Sequence, residues 1–180
     1  MNICPFFLKK SLRILHIFVL LFPKIFDMYI IGIAGGSGSG KTSVVKKIIN
    51  ALPEESVSVL SQDSYYKDCG ELSQEEREKI NFAELKADHA IEMPTYSYVT
   101  CRRGKETILV TPSPVIIVEG ILIFTDTKLC NMLDLKVFVD TGADDRIIRI
   151  IQRDVNERGR GLEKSIQHYG AQILPLAREY

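Results

Sequence analysis

Tyr29 to Pro53 reads YIIGIAGGSGSGKTSVVKKIINALP, and three patterns follow one another inside it. Tyr29 to Ala34 is a short apolar run, suited to a strand buried on both faces. GGSGSGKT then matches G-x-x-x-x-G-K-[ST] through Gly35, Gly40, Lys41 and Thr42. Beyond it, Val44, Val45, Ile48, Ile49 and Leu52 recur at helical spacing until Pro53 stops the helix. Strand, glycine loop and helix in that order are the context the motif requires. Glycines let the backbone turn its N–H groups onto phosphate oxygens, and the helix N-terminus adds a positive dipole end. Lys41 is placed to reach the β- and γ-phosphates, and the Thr42 hydroxyl to hold Mg²⁺. Gly35, Gly36, Ser37, Gly38, Ser39, Gly40, Lys41 and Thr42 are thus the expected triphosphate-binding set.

Working outward, two later apolar runs end in a carboxylate. SVSVLSQD places Asp63 after the alternating run Val57 to Leu60, and VIIVEG places Glu119 after Val115 to Val118. In a doubly wound parallel sheet, ligands sit outside the carboxyl ends of the strands, so both acids are expected to face the glycine loop. A carboxylate there can bind Mg²⁺ or accept the proton of an attacking hydroxyl. Each residue type also serves as a plain turn or helix cap.

Residues 143–160 read ADDRIIRIIQRDVNERGR. Ile147, Ile148, Ile151 and Val155 form one helical stripe, expected to face the core. Arg146, Arg149 and Arg153 form another, the pattern of a solvated face, with Asp145 and Arg149 spaced as an i,i+4 pair. In ERGR, Gly159 breaks the helix and lets Arg158 and Arg160 converge. Near a phosphoryl-transfer site, Arg153, Arg158 and Arg160 would stabilise the charge of the group in transit.

The whole chain has 180 residues, 46% hydrophobic and 26% charged, which is room for one domain with a sizeable core. Lysine plus arginine and aspartate plus glutamate each total 23, so no net charge draws the protein to nucleic acid or an anionic membrane. Four scattered cysteines without a CxxC, and three dispersed histidines, give no zinc cluster or disulfide framework. Free thiols in a reducing compartment are the simplest expectation. Residues 1–27 differ from the rest: Lys9, Lys10, Arg13 and Lys24 stand against Asp27 alone, and Leu12 to Phe22 is nearly all apolar. That stretch is well short of the ~20 residues that span a bilayer. It reads as a translated upstream segment outside the fold, with the working protein starting at Met28, or as a peripheral membrane anchor.

Taken together, the blocks IIGIAGGSGSGKT, LSQDSYYKD, EMPTYSY with RRGKET, VIIVEGIL, LKVFVDTGADDR and RDVNERGR resemble the uridine/cytidine kinase family of P-loop nucleoside kinases. The resemblance implies transfer of the γ-phosphoryl of ATP or GTP to the 5′-hydroxyl of uridine or cytidine, in pyrimidine salvage, with Mg²⁺. It implies Asp63 as general base, Lys41 and Arg153 as catalytic cations, and Glu119 holding the metal with Thr42 and Asp63. Tyr66 and Tyr96 match nucleoside-pocket positions. Cys101 stands where some members carry a base-contacting histidine, and Arg153, Arg158 and Arg160 match lid residues. A cytoplasmic homotetramer is also implied.

The chain departs from the family pattern after Phe82, where an FDHPDAFD-like segment is missing, and at Ile150, where many members have arginine. It also stops at Tyr180, short of the family's usual final strand and helix. Two other readings therefore stand beside the first: a nucleotide-binding remnant without acceptor turnover, and a different P-loop small-molecule kinase. The expected architecture is a three-layer α/β P-loop fold over residues 28–180. Strands are expected near 29–34, 57–61, 115–119 and 136–139, with a small hairpin lobe near 95–110. Helices are expected near 41–52, 73–80, 143–157 and 162–178.

Overall fold

The computed structural model describes residues 28–53, 55–66, 85 and 87–173. In chain order the elements are β1 (Tyr29–Ala34), α1 (Lys41–Ile49), β2 (Val57–Ser61) and a 3₁₀ turn (Gln62–Tyr65). A hairpin of β3 (Ile91–Ser97) and β4 (Arg102–Val110) follows, then β5 (Val115–Gly120), α2 (Thr127–Met132) and β6 (Leu135–Phe138). The described chain ends with α3 (Ala143–Asn156), α4 (Leu162–His168) and a π-helical turn (Tyr169–Ile173).

Four strands form one sheet in the order β2-β5-β1-β6. All its pairings are parallel, and β5 lies between β1 and β2 with Tyr29 opposite Val115 and Ser61 opposite Glu119. The central strands are apolar, β1 throughout and β5 up to Val118, because both of their faces are covered. Alternate residues divide between two cores. Ile30, Ala34, Leu60, Ile116 and Val118 pack on one face with Leu129 of α2 and Leu133, which follows it. Ile31, Ile33, Val115 and Ile117 pack on the other with Val45 and Ile48 of α1. The result is the expected three-layer α/β fold with a parallel sheet and a small hairpin lobe.

Several expectations need adjusting. The hairpin starts at Ile91, four residues before the sequence suggested, with a bulge between Pro94 and Tyr96. Helix α2 was not foreseen: its six residues are too few to show a period, and Asp126 caps it by accepting from the Lys128 and Leu129 amides. The last expected helix ends at His168, where π-type turns replace it. The expected helix at 73–80, the segment after Phe82 and residues 1–27 lie outside the described residues.

The largest correction concerns α3. Its isoleucine stripe is only partly covered: Ile147 and Ile151 are half-buried, while Ile148 is 54% and Val155 41% exposed. Ile150 and Asp154 are the fully buried side chains instead, so the helix turns inward the side that bears Arg146 and Arg153. The reason is what lies opposite. The backbone of Arg146 and the side chain of Ile150 pack on Gly38, and Arg149 donates to the Gly38 carbonyl at 3.3 Å. Arg149 thus bonds to the loop and not to Asp145.

Candidate active site

The loop from Gly35 to Gly40 leaves the carboxyl end of β1 and enters α1 at Lys41. Gly38 and Gly40 sit at φ 76° and 99°, a left-handed conformation that a side chain resists. Gly36 answers a different need: a Cβ there would lie 2.6 Å from Arg146 Nη1. Lys41 is buried, and its Nζ donates to the carbonyls of Gly35 at 2.9 Å and Gly36 at 3.2 Å. Burial lowers its pKa, while the carboxylates of Asp63 and Glu119 oppose that shift and Arg153 and Arg146 add to it. These five charged groups therefore converge on one place. Thr42 is exposed in the first turn of α1, and Thr141 Oγ1 donates to the Ser39 carbonyl at 2.9 Å.

Both acids sit where the sheet ends, on neighbouring strands. Glu119 lies on β5 opposite Ser61, whose Oγ donates to Glu119 Oε1 at 2.8 Å. Asp63 follows in the 3₁₀ turn after β2. That turn is pinned over the end of β5 by buried Gln62, whose Oε1 accepts from the Leu122 amide at 2.9 Å and fills the space above Gly120. Burial, and then the charge of Asp63, raise the pKa of Glu119. One oxygen of Asp63, Oδ2, accepts from the Tyr98 hydroxyl at 2.6 Å; the other, Oδ1, is buried with no partner among the described residues. Two neighbouring carboxylates with an unused buried oxygen fit a hard divalent cation, whose charge would relieve their mutual repulsion.

Around this centre stand aromatic and cationic groups. Tyr66, Tyr96 and Tyr98 meet edge to face, with ring centroids 5.6 Å and 5.2 Å apart. Arg158 lies over the Tyr98 ring, its guanidinium carbon 3.7 Å from the centroid. Fully buried Asp154 draws three arginines together: Arg153 at 3.2 Å, Arg158 at 3.4 Å and Arg160 at 3.1 Å. Three cations on one carboxylate leave a surplus of positive charge at the mouth of the site. Arg153 also reaches Ser37, and Arg160 reaches Cys101 Sγ at 3.6 Å. Gly159, at φ 66°, makes the turn that lets Arg158 and Arg160 converge.

The structure thus gathers Lys41, Asp63, Glu119 and Arg153 at the glycine loop. It brings Tyr66, Tyr96, Cys101, Arg158 and Arg160 to one wall beside it. Sequence reasoning passed over Tyr98, Asp154 and Arg146. Tyr98 lies two residues from Tyr96 and so could have been placed on the same face of a strand. Asp154 is i,i+4 to Arg158 in RDVNERGR, a spacing that signals an ion pair. Arg146 gave no signal apart from its row.

A glycine loop made to hold phosphate, with two carboxylates at the same edge of the sheet, is the arrangement of phosphoryl-transfer sites. On this sheet the class so defined is a P-loop kinase. The sequence places the protein more closely: residues 30–179 match the model of the phosphoribulokinase / uridine kinase family, and the chain belongs to that family. It is 41% identical over 166 residues to a uridine kinase of Limosilactobacillus reuteri, covering 84% of this chain and 76% of that one. It is 45% identical to a uridine kinase of Halalkalibacterium halodurans, over 84% and 79% of the two chains. In fold it is similar to a Silicibacter sp. TM1040 chain provisionally designated a fructose transport system kinase. The TM-score there is 0.74 at 19% identity, over 91% of this chain and 89% of that one. Among the described residues no helix is long and apolar enough to cross a membrane.

Proposed function

We propose that the protein transfers the γ-phosphoryl group of ATP or GTP to the 5′-hydroxyl of uridine, and of cytidine, giving the nucleoside monophosphate for pyrimidine salvage. The observation that carries this reading is the unpartnered Oδ1 of Asp63, set beside Lys41 and next to a wall of tyrosines. The identities of 41–45% to uridine kinases support the choice of acceptor.

In the proposed reaction the acceptor hydroxyl gives its proton to Asp63 Oδ1 as its oxygen bonds to the γ-phosphorus. The bond from that phosphorus to the β–γ bridging oxygen breaks, and the nucleoside diphosphate leaves. Lys41, freed from the Gly35 and Gly36 carbonyls, would bind the β- and γ-phosphates, and Arg153 would meet the charge in transit from the Ser37 side. Thr42 and Glu119, with Asp63 at the edge, would hold Mg²⁺, which when bound neutralises phosphate charge. Tyr66, Tyr96 and Cys101 would face the nucleoside, with Arg158 and Arg160 closing over it. The family match from residue 30 supports residues 28–180 as the kinase domain. The exposed Val99, Ile108 and Leu109 of the hairpin support a homo-oligomer, a tetramer by family likeness. A cytoplasmic location rests on the same likeness.

The test is UMP formation by the full chain with uridine and Mg-ATP, with Asp63→Asn beside it. The expected result is turnover in the parent and a loss in kcat of roughly 10²–10⁴ in the variant, the span for a missing general base. ATP binding without UMP formation in the parent would mean a nucleotide-binding remnant instead. Turnover of other small alcohols in place of uridine would mean a different kinase of the class.

A further inference from the structure

A carboxylate rotates about a soft terminal torsion, so a lone aspartate does not choose which oxygen it presents to a reacting group. Two tyrosines face the acid, Tyr66 from its own segment and Tyr98 from the hairpin, and the short bond to one oxygen comes from Tyr98. Tyr98 begins the turn that joins β3 to β4, and its hydroxyl donates to Asp63 Oδ2 at 2.6 Å, the short range of a charge-assisted O–H···O⁻ bond. Asp63 Oδ1 then remains buried and without a partner. The ring that carries the hydroxyl is itself fixed, with the edge contact of Tyr96 at 5.2 Å and Arg158 stacked on it at 3.7 Å.

We infer that Tyr98 is a positioning residue for phosphoryl transfer: it occupies Asp63 Oδ2 so that Oδ1 alone meets the acceptor hydroxyl, and through its ring it ties that alignment to Arg158. The inference rests on the reading of Asp63 as proton acceptor. A tyrosine phenol ordinarily loses its proton only at about pH 10, so at neutral pH it is a donor. Arg158 is drawn to the same ring and to Asp154. The placement of Arg158 and the alignment of the base are thereby tied, since both depend on where this ring sits.

Tyr98→Phe keeps the ring and the Arg158 stack and removes only the hydroxyl. In the full chain, kcat for UMP formation is expected to fall about 10- to 100-fold, the scale for a misaligned reacting group, with KM for uridine and for Mg-ATP within about twofold. Added to Asp63→Asn, the same change is expected to cost nothing further, since the group it orients is gone. p-Aminophenylalanine at position 98, which restores an N–H donor on the same ring, is expected to recover kcat to within about threefold of the parent. Unchanged kcat, a raised uridine KM at constant kcat, or an equal loss in the Asp63→Asn background each overturn the inference. If Tyr98→Phe does not fold, the p-amino variant decides alone: kcat near the parent sustains the inference, and a 10-fold loss in folded protein sinks it. A parent chain that makes no UMP defeats the reading of Asp63 first. A parent that makes UMP and ignores Tyr98→Phe defeats this inference only.

Discussion

Arg153 and Ser37 are 116 residues apart in the chain, yet the Arg153 Nη2 donates to Ser37 Oγ at 3.4 Å. The bond joins the inward face of α3 to the glycine loop, and the same guanidinium also bonds to Asp154. Arg153 is therefore held at the rim of the phosphate site before any phosphate arrives.

Arg153→Ala is expected to lower kcat by about 10²–10³, the usual loss for one preorganised charge-stabilising donor. Ser37→Ala should change kcat less than threefold, because it removes only a tether that substrate phosphates would replace. Steady-state kinetics of the two variants side by side check this. Equal losses would make the tether, and not the cation, the important element.

The two loop glycines that face α3 should respond differently to alanine. At Gly38 a Cβ meets the Arg146 backbone carbonyl at 2.7 Å, and φ is +76°. At Gly36 the obstacle is the far end of the Arg146 side chain, which can move aside. Gly38→Ala is expected to destabilise by ~1–2 kcal/mol from the left-handed backbone alone, with the clash added. For a domain of this size ~1 kcal/mol lowers Tm by about 2–4 °C. Gly36→Ala should cost distinctly less. Thermal melts that rank the two in the opposite order would place the strain elsewhere.

Asp154 is the third case. Its carboxylate is fully buried under three arginines that remain partly exposed. Asp154→Asn removes the one anion and leaves the cations facing one another. Breaking a buried pair from one side costs about 3–5 kcal/mol, and the exposure of the arginines puts this case at the lower end. Urea unfolding is expected to show a lower midpoint, partly restored by 0.5 M salt, which screens the exposed guanidiniums. A midpoint indifferent to the substitution would mean that the arginines are neutralised by solvent.

The glycine loop, Asp63 and Glu119 were legible because they are contiguous motifs, and because a parallel sheet places strand-end residues at one edge. The rest depends on long-range packing. Nothing in ADDRIIRIIQRDVN says that Arg146 and Arg153 lie on the inward side, since that follows from the glycine loop that packs opposite them. Tyr98 touches Asp63 only because the hairpin packs over the 3₁₀ turn, a contact between segments 35 residues apart that no local pattern encodes. Helix α2 escaped notice for the opposite reason, being too short to carry a pattern at all.

His168 offers a test by pH. It is the last residue of α4, and its pKa is lowered from 6.5, first by burial and then by the charge of Arg160. Arg158 and Arg153 act in the same direction, and Asp154 opposes them. A histidine whose folded pKa lies below its unfolded value binds fewer protons in the native state than in the unfolded chain. Stability therefore rises with pH across that interval. The contribution is intact above the unfolded value of 6.5 and is lost as the pH falls through the lower folded value. Melting the parent at pH 7.5, 6.5 and 5.5 should show Tm falling toward acid, and His168→Gln should flatten that fall while leaving Tm at pH 7.5 within a degree or two. If both proteins lose the same number of degrees between pH 7.5 and 5.5, the ring is not held neutral behind the arginines and the acid sensitivity originates elsewhere.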